Sequence, residues 1–317
     1  MIILGRAEVR ELLTSLDVIA LQRAAFLALE QHPELLAPRV LLDGGAGSMV
    51  FSYLAKASTG GPVVAKIGSV HRPVDGRSVD AYLMVMDPVT GDCLALLDGE
   101  EITAARTPAA TLAAVEALGL RPAVVAILGA GVQGSGHARW FDARFPGCEI
   151  RLWSPSPARA RNAVEALRAD GVRASAPQSR RATLEGAEVI VTATTSGVPV
   201  LDAGDVAAGV LIAGVGSFAP DRREIGSDLL GRARAVVVDD IATAARQSGP
   251  LVADGGKLTA GRTFSLGAVL AGAELPAPDA DRDLTLFLSV GLGIQDAAIA
   301  VPLVELAVRS GAHQIDL

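Results

Sequence analysis

The spacing of hydrophobic residues changes after Arg121-Pro122. Before that point, one apolar stripe predicts a helix over Asp17–Gln31. Short apolar runs bounded by turn residues then predict four strands, over Gly47–Tyr53, Val63–Val70, Asp80–Met86 and Cys93–Leu97. An alanine-rich helix is predicted over Thr107–Leu118, because Thr107 suits an N-cap and Pro108 suits the first helical position.

After Arg121-Pro122, continuous apolar runs alternate with helical stretches. The predicted strands are Ala123–Leu128, Glu149–Trp153, Glu188–Ala193, Val210–Val215 and Ala235–Asp239. Such runs are typical of strands buried on both faces, and their alternation with helices predicts an α/β fold with a doubly wound parallel sheet. A strand-like run over Leu284–Val290 and a helix over Gln295–Arg309 close the chain.

The composition fits a large packed core and excludes several classes of protein. Half of the 317 residues are hydrophobic, 3% are aromatic and the formal net charge is −7. An acidic chain lacks the basic face that nucleic acids or anionic membranes require, so we expect neither as a partner. No apolar run approaches the roughly 18 residues of a membrane-spanning helix.

Cysteine and histidine are scarce, with two and four residues. We therefore expect neither a metal site nor a disulfide framework. The segment Met1–Ala20 carries charged residues where a signal peptide needs an apolar run, so we expect a cytoplasmic protein.

Three glycines stand in dinucleotide-binding spacing directly after the strand Ala123–Leu128. Gly129 permits the tight turn, Gly131 lets the backbone approach a pyrophosphate, and Gly134 lets the following helix lie against the sheet. The N–H groups at the start of that helix would face the phosphates. The sequence therefore predicts a Rossmann-type nucleotide site.

The next strand lacks the acidic residue that selects NAD. The segment Leu152–Pro157 contains Ser154 and Ser156, whose hydroxyls can bind a 2′-phosphate, with Arg159 and Arg161 nearby. NADP is therefore favoured over NAD, although these arginines can also be read as a solvated helix face. The full set of predicted cofactor-binding residues is Thr107, Gly129, Gly131, Val132, Gln133, Gly134, Ser154, Ser156, Thr194, Val215 and Ser289.

Lysine is rare, with Lys56, Lys66 and Lys257 among 28 basic residues. Lys66 stands in an apolar strand, where an ammonium must reach an edge or meet a fixed anion. Arg39 and Arg106 lie beside other apolar stretches. Arginine suits carboxylate recognition and a desolvated lysine can exchange protons, but spacing alone favours a surface or salt-bridge residue at each of the three positions.

Several motifs together resemble the ornithine cyclodeaminase/mu-crystallin family. They are Leu94–Gly99 leading into Ile102–Thr107, Ile127–Gln133 with His137, Val215–Glu224, Leu266–Gly272 and Ser289–Asp296. The resemblance implies a Rossmann domain, 121–287, inserted in a substrate-binding and dimerisation domain, 1–120 plus 288–317, of a homodimer. It also implies that Arg39 and Arg106 hold a substrate carboxylate, that Lys66 pairs with it and handles the proton, and that Thr107 lies near the cofactor phosphates. Asp296 is expected to start a helix or line a cleft, and we assign it no chemistry.

One departure from the family pattern bears on the reaction. Cyclodeaminases and alanine dehydrogenases of the family carry an aspartate where alignment on Pro220 places Phe218. A phenyl ring can neither accept a proton nor pair with an ammonium, so the pattern is more similar to the mu-crystallin and ketimine reductase branch. The segment Ser52–Ala55 also lacks the family's usual Met-Pro.

The leading hypothesis is NAD(P)H-dependent reduction of a small cyclic ketimine carboxylate, of the 1-pyrroline-2-carboxylate or 1-piperideine-2-carboxylate type. The alternatives are ornithine cyclodeamination with recycled NAD, oxidation of a small amino acid, and non-catalytic binding of NADPH and a small carboxylate. Lys66, Arg39 and Arg106 are the predicted catalytic residues.

Overall fold

The computed structural model describes residues 1–74, 77–255, 261–313 and 315, with the side chains of 72–74 and 77–78 left aside. Lys257 therefore lies outside the described residues. The strands are β1 (Ile2–Leu4), β2 (Val40–Gly45), β3 (Ser48–Lys56), β4 (Val63–Val74), β5 (Arg77–Met86), β6 (Cys93–Asp98), β7 (Val124–Leu128), β8 (Glu149–Trp153), β9 (Ala174–Ser175), β10 (Val189–Thr192), β11 (Leu211–Gly214), β12 (Ala233–Val238), β13 (Thr263–Ser265) and β14 (Leu284–Leu288). The helices are α1 (Arg6–Leu13), α2 (Val18–Gln31), α3 (Gly99–Ala117), α4 (Val132–Arg144), α5 (Pro157–Ala169), α6 (Arg180–Leu184), α7 (Ser227–Arg232), α8 (Ile241–Gln247), α9 (Gly249–Ala253), α10 (Leu266–Leu270) and α11 (Gly293–Arg309).

The chain divides into two compact units. The first comprises Met1–Arg106 and Leu292–Leu317, and the second comprises Thr107–Gly291. The first division falls inside α3 rather than at residue 120, and the second falls after β14 rather than before residue 288.

A six-stranded sheet forms the frame of the first unit, in the order β1-β6-β5-β4-β3-β2. β1 pairs with β6 in parallel and the other neighbours are antiparallel. Alternate residues face a buried side, against which α11 packs, and α2 in turn packs against α11. β1 was not predicted from the sequence because it has only three residues. β2 was not predicted because its residues, all six of which are exposed in the structure, do not alternate between apolar and polar types.

The predicted start of helix α3 is wrong. The helix begins at Gly99, and Asp98 Oδ1 accepts the first-turn N–H groups of Glu100 and Glu101, both at 3.1 Å. Thr107 and Pro108 therefore lie inside the helix, and Thr107 is not its N-cap. Proline is common in a first helical turn, which made this pair look like a start, but Asp98 satisfies the orphan N–H groups there.

Eight parallel strands form the sheet of the second unit, in the order β13-β12-β14-β11-β10-β7-β8-β9. This confirms the α/β fold with a Rossmann-type parallel sheet. The chain runs outward from β7 to β8 and β9 and then returns to β10 on the other side of β7. Ligands of such sheets bind at the carboxyl ends of the strands where the order reverses, which here is between β7 and β10.

No single helix among the described residues is long and apolar enough to cross a membrane, although the pair α1 and α2, bent by 90°, passes the same test of length and composition.

Candidate active site

Lys66 is held on the buried face of the first sheet, where it is 2% exposed. Its Nζ donates to Asp296 Oδ1 and to Thr103 Oγ1, both at 2.7 Å. A lysine in an apolar strand must either reach an edge or meet a fixed anion, and Lys66 meets a fixed anion. The sequence did not predict that this anion belongs to the protein itself.

Asp296 lies in the first turn of α11 and is fully buried. While Oδ1 accepts from Lys66, Oδ2 accepts the hydroxyl of Tyr53 at 2.8 Å. A Cβ on Gly293 would stand 2.6 Å from Tyr53 Cδ2, so only glycine lets the tyrosine ring lie against this turn. The buried carboxylate is therefore bound on both oxygens.

The two predicted arginines join the same group. Arg106 Nε lies 3.9 Å from Asp296 Oδ1, and one guanidinium N–H donates to Gln295 Oε1 at 3.3 Å. The Arg39 guanidinium lies over the Tyr53 ring, 5.1 Å from its centroid. The structure thus brings the three predicted cations together, and we call Lys66, Asp296, Tyr53, Arg106 and Arg39 the Lys66 cluster. Their roles toward a substrate stay predictions.

Burial and charge act against each other in the Lys66 cluster. Burial lowers the pKa of Lys66 to about 8, although the charge of Asp296 works to raise it. Burial also opposes ionisation of Asp296, but the nearby charges of Lys66 and Arg106 hold its pKa below the usual value. Burial raises the pKa of Tyr53 well above its usual value, so the phenol stays protonated as a donor. Lys66 can therefore gain or lose a proton near neutral pH.

Asp296 and Tyr53 are functional candidates that the sequence interpretation missed. A signal was present for Asp296, since it is the only acidic residue of α11 before Glu305 and lies among apolar neighbours. Tyr53 stands in the segment where the family's Met-Pro is absent, which marked an altered position without indicating its contact.

The glycine loop of the second unit has the geometry that a dinucleotide needs. Gly129 has a φ of +126°, and a Cβ there would collide with the carbonyl oxygen of Ala193. A Cβ on Gly134 would collide with the carbonyl oxygen of Gly129. A Cβ added to Gly131, in contrast, would lie in open space. The lack of a side chain there is not required by protein packing, and it leaves room for a ligand. These residues fit a bound pyrophosphate.

Helix α4 begins beside this space without a side-chain cap. Gly131 is its N-cap residue, and Val132, its first residue, is 66% exposed. The first N–H groups of the helix, including that of Gln133, are therefore suited to phosphate oxygens. Thr107 is buried inside α3, and its carbonyl oxygen lies 3.3 Å from Thr111 Oγ1.

The segment after β8 carries the predicted NADP determinants. Ser154 Oγ accepts the N–H of Ser156 at 3.3 Å, and Ser156 Oγ accepts that of Arg159 at 3.4 Å as the N-cap of α5. Both hydroxyls keep a proton to donate. Arg159 and Arg161 are exposed on α5. The local geometry is compatible with a 2′-phosphate, and the preference for NADP stays a prediction.

Glu224 is a buried carboxylate that ties together the loops after β10 and β11. It accepts the N–H groups of Thr194 at 2.5 Å and Gly216 at 2.7 Å, and the Thr192 hydroxyl at 3.0 Å. Burial raises its pKa even though these hydrogen bonds act to lower it. The predicted cofactor residues Thr194 and Val215 therefore lie at braced carboxyl ends of parallel strands.

Asp239 is a second buried carboxylate, and it braces the loop that follows β14. Its Oδ2 accepts the Ser289 hydroxyl at 2.9 Å and the N–H groups of Val290 at 2.8 Å and Gly291 at 2.7 Å. Ser289, another predicted cofactor residue, thus directs its hydroxyl toward a protein carboxylate. The sequence interpretation assigned no role to either buried acid, Glu224 or Asp239.

Phe218 follows β11 and is half-buried. The Arg222 guanidinium lies 4.5 Å from the centroid of its ring, within the range of a cation–π interaction. The position at which we expect an aspartate in cyclodeaminases and alanine dehydrogenases of the family is therefore occupied here by a ring that packs with a cation.

Comparison with known proteins places these features in context. The ornithine cyclodeaminase/mu-crystallin family model matches residues 43–311. Ketimine reductase mu-crystallin of Rattus norvegicus is 33% identical over 226 residues, which cover 70% of this chain and 68% of that protein. The Thermococcus litoralis Delta(1)-pyrroline-2-carboxylate reductase, solved with NADH and L-proline, is 26% identical with a TM-score of 0.88 and covers 100% of both chains. An archaeal alanine dehydrogenase dimer with bound NAD is 26% identical with a TM-score of 0.87, over 100% of this chain and 99% of that one.

Proposed function

Because the chain belongs to the ornithine cyclodeaminase/mu-crystallin family, we propose that it reduces a cyclic ketimine carboxylate to the cyclic amino acid with NADPH or NADH. The substrate is of the 1-pyrroline-2-carboxylate or 1-piperideine-2-carboxylate type. The relatives named for ketimine and pyrroline-2-carboxylate reduction support this reaction. The observation that carries the proposal is the convergence of Lys66, Arg106 and Arg39 on the buried face of one sheet.

The charge balance of the Lys66 cluster favours a small anion. Lys66 and Arg106 both approach the single carboxylate of Asp296, which leaves a surplus of positive charge in a buried place. A buried charge is costly unless it is paired, so a substrate carboxylate would be attracted. Arginine offers it a bidentate partner, and Lys66 offers a charge and a proton. Bound nicotinamide would supply the hydride.

Phe218 supports ketimine reduction over ornithine cyclodeamination. Cyclodeamination begins with oxidation of an amine, which calls for a group that accepts a proton there. The Phe218 ring cannot do so, and the positive Arg222 packed on it would repel an ammonium.

The test is an assay of the purified protein with NADPH or NADH and each of the two ketimines, followed by the absorbance of reduced nicotinamide. We expect oxidation of the cofactor with at least one ketimine, and L-proline or L-pipecolate as the product. If both ketimines are left untouched, the proposal fails. Ammonia and proline from ornithine without added cofactor would instead identify a cyclodeaminase.

Lys66→Ala separates an enzyme from a binding protein. We expect the variant to lose at least about a hundredfold in turnover, in keeping with the loss of a general acid, while its affinity for the cofactor is unchanged. Retained turnover in Lys66→Ala would contradict the role given to Lys66. Cofactor and carboxylate binding by a wild-type protein that never turns over would indicate the non-catalytic alternative.

We further propose NADP as the preferred cofactor, on the strength of Ser154 and Ser156 and of the missing acidic residue after β8. Its check is the ratio of kcat/KM for NADPH and NADH, which should exceed one and fall in Ser154→Asp. A ratio below one in the wild type would overturn this preference.

A homodimer is the proposed assembly. One face of the first sheet exposes a row of apolar side chains, among them Leu54, Ile67, Tyr82 and Met84. Contiguous apolar surface of this kind is typical of protein interfaces. The archaeal alanine dehydrogenase relative, which is a dimer, supports a second copy of the chain as the partner.

A further inference from the structure

Asp296 has contacts that go beyond neutralising a charge. Its two oxygens are bound by different groups, Oδ1 by the Lys66 ammonium and Oδ2 by the Tyr53 hydroxyl. The residue is fully buried, and its place in the first turn of α11 puts a carboxylate at the positive end of a helix. This carboxylate is therefore fixed in both position and charge.

Every charged neighbour except Asp296 makes Lys66 a weaker base. Burial and the positive charges of Arg106 and Arg39 all favour the neutral amine, whereas Asp296 favours the ammonium. Thr103, on α3, contributes a hydroxyl that accepts from Nζ, and the Tyr53 ring from β3 lies 5.9 Å from Nζ. The protonation of Lys66 thus depends on a single acid.

We propose that Asp296 and Tyr53 are positioning residues for Lys66, the proton donor of the reduction: Asp296 keeps Lys66 protonated and aimed, and Tyr53 holds the Asp296 carboxylate in place. The inference rests on the proposed function. In the reaction, the imine carbon receives a hydride from reduced nicotinamide while the C=N π electrons take a proton from Lys66 Nζ. The ring nitrogen becomes a secondary amine, and Lys66 is left as a neutral amine beside Asp296. It regains its proton from water, so one hydride and one proton are consumed per turnover.

The two positioning residues are expected to change Lys66 in opposite directions. Asp296→Asn removes the one negative charge that the described residues place beside Nζ, so the proton affinity of Lys66 should fall by about tenfold or more. Tyr53→Phe removes a hydrogen bond that disperses the charge of the carboxylate, so Oδ1 becomes a stronger partner and the proton affinity of Lys66 should rise. Tyr82→Phe is a matched control, because Tyr82 is the other tyrosine of the chain and is 61% exposed.

The rarity of lysine allows a direct measurement. With the side-chain nitrogens of the three lysines labelled with ¹⁵N, the signal lost in Lys66→Gln identifies Lys66, and a pH titration reports its protonation. We expect a midpoint near pH 8 in the wild type, a lower midpoint in Asp296→Asn, a higher one in Tyr53→Phe and no change in Tyr82→Phe. An unchanged Lys66 midpoint in Asp296→Asn overturns the inference.

Kinetics provide the second readout. The alkaline fall of the reduction rate should follow the same order of midpoints, and Asp296→Glu, which keeps the charge, should restore part of the wild-type profile. If Asp296→Asn does not fold, Tyr53→Phe decides, and the inference fails if it matches Tyr82→Phe in both titration and rate. A wild type that reduces neither ketimine refutes the proposed function, whereas the titration still tests the Lys66–Asp296 coupling.

Discussion

His137 is a buried, neutral residue whose contacts indicate a structural role. It is fully buried on α4, with Nδ1 2.7 Å from the carbonyl oxygen of Gln133 and Nε2 2.9 Å from Thr111 Oγ1. Because a carbonyl oxygen only accepts, Nδ1 carries the hydrogen and Nε2 accepts from the threonine hydroxyl. Both ring nitrogens are thus satisfied in the neutral form, and burial lowers the pKa of His137 to about 4.

This residue predicts a loss of stability in mild acid. The pKa of His137 in the folded protein is below its value of about 6.5 in the unfolded chain, so the unfolded state takes up a proton first as the pH falls. The stability contribution is complete above about pH 6.5 and is lost toward pH 4, by about 2 kcal/mol between about pH 7 and 5. Chemical denaturation at both pH values should show a smaller loss in His137→Gln than in the wild type. The partly exposed His32→Gln is the control, and equal losses in the wild type and His137→Gln would contradict the prediction.

The residues of the Lys66 cluster differ in how far the sequence reveals them. A lysine inside an apolar strand is conspicuous because burying an ammonium is costly, so Lys66 could be singled out from its own neighbours. Asp296 could not be paired with it from the sequence, because the two are 230 positions apart. The same holds for Tyr53, which is an ordinary strand residue until α11 is packed against it.

At the level of elements, the loop between β7 and α4 could be predicted almost completely. Strand, glycines and helix follow one another, and each glycine requirement is local. The start of α3 could not be placed, because the Thr-Pro pair inside the helix imitates a helix start and the true cap, Asp98, also ends a strand. The bounds of an element can thus be predicted from its local sequence when its terminal residues belong to that element alone, and not when, like Asp98, they also belong to its neighbour.

The glycine loop carries the prediction that belongs to this scale. Gly131→Val should fold normally, because φ at this position is −94° and a Cβ meets no protein atom within 4 Å. The side chain would instead fill the space assigned to the pyrophosphate, so the Kd for NADPH should rise by about tenfold or more, at least 1.4 kcal/mol. Titration calorimetry and thermal unfolding of the ligand-free protein measure the two effects.

Gly204→Val is the matched control for this loop. A Cβ on Gly204 also meets nothing within 4 Å, and the residue is exposed in the same unit. We expect the control to bind NADPH like the wild type. Unchanged binding in Gly131→Val would mean that the dinucleotide does not approach this glycine.

For the whole molecule, the net charge of −7 describes the surface average and not the place where a ligand would bind. The composition correctly indicated a large packed core. It could not indicate the Lys66 cluster, because the charges of two arginines and one lysine are outweighed in the total by acidic residues elsewhere in the chain. The apolar face of the first sheet escaped the sequence interpretation for a related reason. Alternation along a strand predicts which residues share a face, but when both faces are apolar it does not indicate which one the protein buries.

That apolar face makes the proposed dimer testable. Strand register places Ile67 beside Tyr82, and Leu54 in the next row with Met84, while Ile3 continues this row at the edge. Ile67 is 57% exposed in the single chain. In a dimer that buries this face, an aspartate at residue 67 would enter an apolar interface without a partner, at a cost of several kcal/mol.

Ile67→Asp should therefore be monomeric at micromolar concentrations at which the wild type is dimeric by light scattering. Val89→Asp is the control, because Val89 is 90% exposed in the turn between β5 and β6, away from this face, and the variant should remain a dimer. Since charged surface is tolerated by the monomer, the far-ultraviolet circular dichroism of both variants should match the wild type. Dimers of Ile67→Asp as tight as those of the wild type would mean that the chain associates through another surface, and a monomeric wild type would mean that the apolar face has a different partner.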